Sequence, residues 1–210
     1  MVTIFRASLL FLLLFFSIFF INTSANTREF SRDSRATMVA QINHNPWQYY
    51  QELLTLSSGF SELDQEDKLW FLLHKAQAEN LLYFYADFEK TLAQLQDLIT
   101  ADTAGEIQSH INFYAGVSAQ RHSQYQQARE LLRASILQAS KEKLLPLYLQ
   151  GKRHLAYTQS LTGLFVSSLT DLQTAYVEAV GLQDDLLMAL INESYGAIYR
   201  YLGEYETSIN

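Results

Sequence analysis

The stretch that decides the fold covers residues 192–209 and reads NESYGAIYRYLGEYETSI. Gly196 lies in its middle, Gly203 follows seven residues later, and Tyr205 follows two residues after that. Apolar residues before Gly203 recur at steps of three and four, which predicts an amphipathic helix rather than a strand. We interpret the stretch as a helix, a left-handed glycine turn and the start of a second helix.

The same pattern recurs earlier in the chain with a period of about 40 residues. Glycine within a helix costs about 1 kcal/mol relative to alanine, so a recurring small residue there indicates close contact with a neighbouring helix. Glycines 163 and 203 are expected to end helices in the left-handed conformation. The series are Ala76, Gly116, Ala156 and Gly196; Tyr85, Tyr125, Phe165 and Tyr205; Ala128, Ser168 and Ser208; Leu92, Leu132 and Leu172; and Gly163 with Gly203.

The chain is therefore predicted to be all-α, built from antiparallel helix pairs that recur once in every period. Asp184, and either Asp102 or Thr103, are expected to be N-caps, and Pro46 is expected in the first turn of a leading helix. The second helix of the last pair is incomplete at Asn210, so we expect the chain to be part of a longer protein. The helices are expected near residues 46–57, 66–82 with 85–99, 106–120 with 124–140, 144–161 with 164–180, and 184–201 with 204 onward.

Residues 1–25 are typical of a secretory signal peptide. Arg6 precedes an apolar run that extends from Ala7 to Ile21, and small residues precede a cleavage position after Ala25. This run is shorter than a membrane-spanning helix, which needs about 20 residues. An uncleaved anchor remains the alternative, because arginines also follow the run. A flexible arm is expected at residues 26–45, before a helical repeat domain at residues 46–210.

Composition restricts the function classes. The formal net charge is −7, which argues against a nucleic-acid surface because phosphate contacts require clustered Lys and Arg. The chain has no cysteine, which excludes disulfides, thiolate metal sites and cysteine nucleophiles. No sequence motif for a nucleotide or metal occurs, so no cofactor is expected. The five histidines lack metal-ligand spacing, and each is expected to be a surface or half-buried helix residue.

The stretch at residues 192–209 resembles a tetratricopeptide unit, with Gly196, Tyr199, Gly203, Tyr205 and Ser208 at the positions that this family's pattern requires. Earlier units match less well, and the period is longer than the family's usual unit of about 34 residues. The resemblance covers residues 66–210. It implies a right-handed α-solenoid, in which the first helix of each pair lines a concave groove.

An exported array of this kind also resembles the periplasmic sensory part of bacterial tetratricopeptide-containing GGDEF diguanylate cyclases. The resemblance implies a downstream transmembrane helix and a cytoplasmic domain that makes cyclic di-GMP. No catalytic motif lies in these 210 residues, so enzymatic activity is expected only of the full-length protein. The alternatives are the sensory array of a histidine kinase and a stand-alone exported scaffold.

The candidate binding residues follow from positions beside the small residues of each first helix. Two arginines, a tyrosine and an amide would suit a carboxylate or a peptide end. The expected ligand is a peptide, a protein or a small anion in the concave groove, and a homodimer is a further expectation. An alternative remains that both arginines are solvated or paired with Glu193. The candidates are Gln120, Arg153, Tyr157 and Arg200.

Overall fold

A computed structural model of the chain describes Ile42 and residues 44–203. The expected signal peptide, most of the expected arm, and the second helix of the last pair lie outside the described residues. The described residues contain no strand, which confirms the all-α prediction. Between residues 46 and 202 the structure describes eight α-helices, and a 3₁₀ helix at Ser57–Glu62 lies between α1 and α2. The α-helices are α1 Pro46–Leu56, α2 Gln65–Leu81, α3 Tyr85–Leu98, α4 Gly105–Arg121, α5 Tyr125–Lys141, α6 Leu145–Ser160, α7 Phe165–Leu182 and α8 Asp185–Leu202.

The helices α2 to α8 begin at the evenly spaced positions 65, 85, 105, 125, 145, 165 and 185. The predicted ends of these helices differ from the observed ends by about two residues at most, which is the usual uncertainty of a helix end. Consecutive helices pack against each other from α4 to α8. The chain divides into two compact units, one ending at Thr91 and the other beginning at Leu92, so the division falls inside α3.

Left-handed residues terminate most of these helices. Gly163 and Gly203 have φ values of 79° and 77°, which confirms the predicted left-handed glycines. In the turn after α4, Ser123 donates its amide to the Gln120 carbonyl at 3.1 Å. Gln124 donates its amide to the Ala119 carbonyl at 2.9 Å. This hydrogen-bond pair satisfies carbonyls that the helix end leaves unpaired. Tyr83, Ser123, Lys143 and Gln183 hold the same conformation without being glycine.

One of the two predicted N-caps is confirmed, and the other is wrong. Asp184 Oδ1 accepts a hydrogen bond from the Leu187 amide at 2.9 Å, as predicted. The N-cap of α4 is Ala104, which offers no side-chain acceptor, so the prediction of Asp102 or Thr103 is wrong. Thr103 Oγ1 instead accepts from the Thr100 amide at 2.9 Å, inside the preceding loop. A local side-chain bond there stabilises the loop rather than the helix start.

In the unit that ends at Thr91, helix α1 is capped at its N-terminus. Asn45 Oδ1 accepts from the Gln48 amide at 3.1 Å, and Pro46 occupies the first turn of α1, as predicted. A carboxylate lies in the interior of this unit: Glu79 is fully buried and pairs with Lys75 at 2.7 Å. The Lys75 ammonium also donates to Thr91 Oγ1 at 2.8 Å. The ion pair compensates the cost of burying the carboxylate.

The small residues of the second unit lie where helices approach closely. Ala128, Ala156 and Ser168 are fully buried, as the repeat predicts. Ser168 Oγ donates to the Ala156 carbonyl of α6 at 2.6 Å, so the second helix of this pair approaches the backbone of the first. Ser208 lies outside the described residues. Helices α6, α7 and α8 share one cluster of buried residues, which includes Leu149, Ala156, Leu172, Ala175, Ala179, Leu187, Ile191 and Ile198.

Gly116 shows why a glycine is needed in α4. A Cβ atom there would lie 2.7 Å from Leu132 Cγ and 3.3 Å from the Leu132 amide nitrogen of α5. Leu132 is fully buried and has little room to move.

Among the described residues, no helix is long and apolar enough to cross a membrane.

We expect Gly116→Ala to lower the free energy of unfolding by about 1 to 2 kcal/mol, because overpacking against Leu132 outweighs the gain in helix propensity. The control is Gly59→Ala in the 3₁₀ helix, where a Cβ would meet nothing within 4 Å. That control is expected to gain about 0.5 kcal/mol, because alanine restricts the unfolded chain more than glycine does. Urea denaturation followed by circular dichroism measures both. Equal effects of the two substitutions would show that Gly116 is not a packing requirement.

Candidate functional site

The four candidate residues lie on the three first helices of the second unit. Gln120 is on α4, Arg153 and Tyr157 are on α6, and Arg200 is on α8. These helices contact each other directly as well as through their partners, since α6 packs against both α4 and α8. The candidates therefore belong to one layer of helices. They form two clusters within it.

The first cluster joins α4 to α6 through polar side chains. Gln120 Nε2 donates to the His154 carbonyl at 3.1 Å and to Thr158 Oγ1 at 2.6 Å. Thr158 Oγ1 in turn donates to the His154 carbonyl at 2.8 Å. The ring of Phe113 packs edge-on against the His154 ring at 5.3 Å between centroids. The Gln120 amide is thus engaged in holding two helices together.

His154 is the centre of this cluster, and its partners determine its tautomer. Arg153 Nη2 lies 2.8 Å from His154 Nε2, and His154 Nδ1 lies 3.2 Å from Gln120 Oε1. A guanidinium only donates, so Nε2 accepts and Nδ1 carries the proton toward Gln120. Burial holds the pKa of His154 well below its usual range, and the positive charges of Arg153 and Arg121 lower it further. The imidazole is therefore neutral at physiological pH.

Arg153 is a half-buried cation with neutral partners. Besides His154, Arg153 Nη1 donates to Ser194 Oγ of α8 at 3.4 Å. Arg153 Nε is buried and makes no hydrogen bond within the described part of the chain. Arg153 also forms no ion pair with a described carboxylate. Burial lowers the pKa of Arg153, and the charge of Glu193 opposes this shift. A guanidinium whose hydrogen-bond partners are all neutral favours an anion as a further partner.

The second cluster lies one helical turn further along α6. Tyr157 lies beside Tyr201 of α8, and both Tyr201 and Arg200 influence the pKa of its hydroxyl. Burial raises the pKa of Tyr157, Tyr201 adds to this shift, and Arg200 acts in the opposite direction. Arg200 itself is exposed. The cluster therefore presents a phenol pair and a solvated guanidinium beside the Arg153 turn.

Sequence reasoning missed His154, Ser194 and Tyr201 as members of the site. Position 154 lies one period before Ser194, so the repeat itself links the two partners of Arg153. The period gives no such relation for Tyr201, since Leu161 lies one period before it. The expectation that every histidine is exposed or half-buried is wrong for His74, which is only 2% exposed and packs among Tyr49 and Trp70.

Among the described residues, no group of three or more histidine or acidic side chains is arranged to hold a metal ion. The chemistry available in the layer is that of guanidinium, phenol, amide and neutral imidazole. Comparison with known proteins finds no matching family, no matching curated protein and no matching solved structure.

We expect the free energy of unfolding to fall as the pH decreases from 7 to 5. Burial lowers the pKa of His110 from 6.5 to about 4 and also lowers that of His154. A histidine with a lower pKa in the folded state takes up protons preferentially when unfolded, so stability is lost as the pH falls below 6.5. For His110 alone, the loss at pH 5 is about 2 kcal/mol.

Urea denaturation at pH 7 and pH 5 measures this difference. His110→Gln is expected to flatten the pH dependence. Stability that is equal at both pH values, or higher at pH 5, would contradict a buried neutral imidazole.

Proposed function

We propose that the chain is an exported, ligand-binding helical-repeat region of tetratricopeptide type, with a right-handed solenoid fold in its second unit. Three features support the fold proposal. The helices begin at regular intervals along the chain. The first helices α4, α6 and α8 contact one another in order. Small residues lie buried at the positions where paired helices approach. Arrays with these features bind partners along the layer of first helices.

The ligand that we propose for this layer is an anion, either a peptide carboxylate or a small acid. The observation that supports this ligand is the environment of Arg153. Its side chain is half-buried, its hydrogen-bond partners are neutral, and its buried Nε has no hydrogen-bond partner among the described residues. Arg121 and Arg200 add positive charge to the same layer, and Glu193 is the nearby carboxylate. Guanidinium groups bind carboxylates through two parallel hydrogen bonds, which favours this ligand class over a neutral one.

We further propose that the array is the periplasmic sensor of a membrane-bound diguanylate cyclase. The support for this step is the sequence resemblance at residues 192–209, together with the signal-peptide pattern at residues 1–25. Arg153 of α6 contacts Ser194 of α8, so a ligand that competes for this guanidinium would change how the two helices pack. A change in packing would bias the pairing of the output domains across the membrane.

Binding is tested with a short peptide carrying a free C-terminal carboxylate and with the same peptide as its amide. We expect the carboxylate form to bind more tightly, and Arg153→Gln to weaken its binding about 10- to 100-fold, because a charge-assisted hydrogen bond contributes about 1.5 to 3 kcal/mol. Arg133→Gln, which removes an exposed arginine of α5, is the control and should leave the affinity unchanged. Titration calorimetry measures each affinity. Equal binding of acid and amide, or equal effects of both substitutions, would refute the anion site.

The output is tested in cells that express the complete gene product. Arg153→Gln is expected to change the cellular level of cyclic di-GMP, because it alters the α6–α8 contact, whereas Arg133→Gln keeps the wild-type level. Mass spectrometry of cell extracts measures the nucleotide. If Arg153→Gln abolishes anion binding while cyclic di-GMP stays at the wild-type level, the sensor proposal fails and the binding proposal stands.

A further inference from the structure

The solvent face of α7 carries no charged side chain. The opposite face buries Ser168, Leu172, Ala175 and Ala179 completely. Asp171 and Glu178 lie half-buried at the border between the faces, and Glu178 is paired with Lys152 at 3.0 Å. The exposed residues of this helix, which we call the α7 face, are Val166, Ser167, Thr170, Gln173, Thr174, Val177, Val180, Gly181 and Leu182.

The fold alone does not explain this absence of charge. Helix α5 is also a second helix, one period earlier, and Leu137 is 60% exposed there while Val177 is 61% exposed. The exposed residues of α5 nevertheless include Glu130, Arg133 and Lys141, as expected for a solvated helix face. Covering this face would bury no charge, so the face is suited to a contact with another surface.

The α7 face also has the spacing of a helix-packing seam. Val166, Thr170, Gln173, Val177 and Val180 follow one another at steps of four and three residues, which places them in one line along the helix. Valines 166, 177 and 180 are 82%, 61% and 48% exposed. A parallel line of small residues, formed by Ser167, Thr174 and Gly181, recurs every seven residues. Small residues beside a seam allow a second helix to approach closely.

We infer that the α7 face binds the α7 face of a second copy of this chain, with the two helices antiparallel about a twofold axis. The charge distribution favours a second copy as the partner of the α7 face and an antiparallel orientation of the two helices. The chain is acidic overall, so two copies repel least where the surface is uncharged. Asp184 and Asp185 follow the C-terminal end of α7. Antiparallel packing brings them to the positive N-terminal end of the partner helix, whereas parallel packing would bring the carboxylates of both copies together.

Gln173 lies at the middle of the seam, seven residues from both Val166 and Val180. In an antiparallel pair, the two Gln173 side chains meet near the twofold axis. An amide carries both a donor and an acceptor, so two identical amides can hydrogen-bond to each other there. The inference does not depend on the anion site of the first helices.

The absence of native cysteine makes disulfide cross-linking of single-cysteine variants a direct test. We expect Gln173→Cys in the full chain, oxidised in cells, to run mainly as a dimer on a non-reducing gel. Arg133→Cys, at the corresponding exposed position of α5, should remain a monomer. Val166→Cys alone should also remain a monomer, because antiparallel packing separates the two copies of that position by about 20 Å along the helix axis. Co-expressed Val166→Cys and Val180→Cys should cross-link to each other.

A second variant tests the surface itself. Val177→Glu in the Gln173→Cys background should reduce the dimer at least tenfold, while Leu137→Glu, at a matched exposed site, should leave it unchanged. Circular dichroism checks that both variants keep their helix content. Cross-linking of Gln173→Cys no stronger than that of Arg133→Cys would overturn the inference, and so would self-linking of Val166→Cys. Loss of cross-linking with intact anion binding would refute the dimer alone, and the reverse result would refute the proposed function alone.

Discussion

The regular spacing of the helices depends on how the chain reverses direction. After α2, α4, α5, α6 and α7, the reversal occurs at a residue with positive φ, at positions 83, 123, 143, 163 and 183. The left-handed residue directs the next amides back to the last carbonyls of the helix, so the turn needs no side-chain partner. The turns between helices therefore stay short. This constraint keeps small residues such as Gly116 and Ala156 in register with the helices that they contact.

Because the turns are short, the three first helices of the second unit form one layer, and the polar side chains of that layer are forced into contact. His154 has Gln120 on one side and Arg153 on the other. A protonated imidazole would place a third cation beside Arg153 and Arg121, so the neutral tautomer is the only one that this arrangement stabilises. The same neutrality leaves the charge of Arg153 uncompensated by its hydrogen-bond partners.

The sequence was sufficient to predict the helices, because apolar periodicity and recurring small residues are properties of the chain itself. It was also sufficient for Gly163 and Gly203, since glycine is the residue that the left-handed region favours. Ser123, Lys143 and Gln183 hold the same conformation at a cost that packing of the flanking helices offsets, and no local pattern reports such packing. The bond between Gln120 and His154 joins residues that are distant in the sequence, so it too depends on helix packing that periodicity does not specify.

Positions that keep the repeat and positions that break it have different physical roles. The small residues at 116 and 156 keep the period because two backbones must approach at the same place in each pair. Position 153 breaks it: Arg153 stands where the preceding pair has Phe113 and the following pair has Glu193. The solvent face of α7 breaks it as well, since Gln173 stands where α5 has Arg133. Neither Arg153 nor Gln173 belongs to the fully buried core, so core packing does not require these residue types. Departures from the repeat at these two positions are the reason why we place the proposed anion site and the proposed dimer contact there.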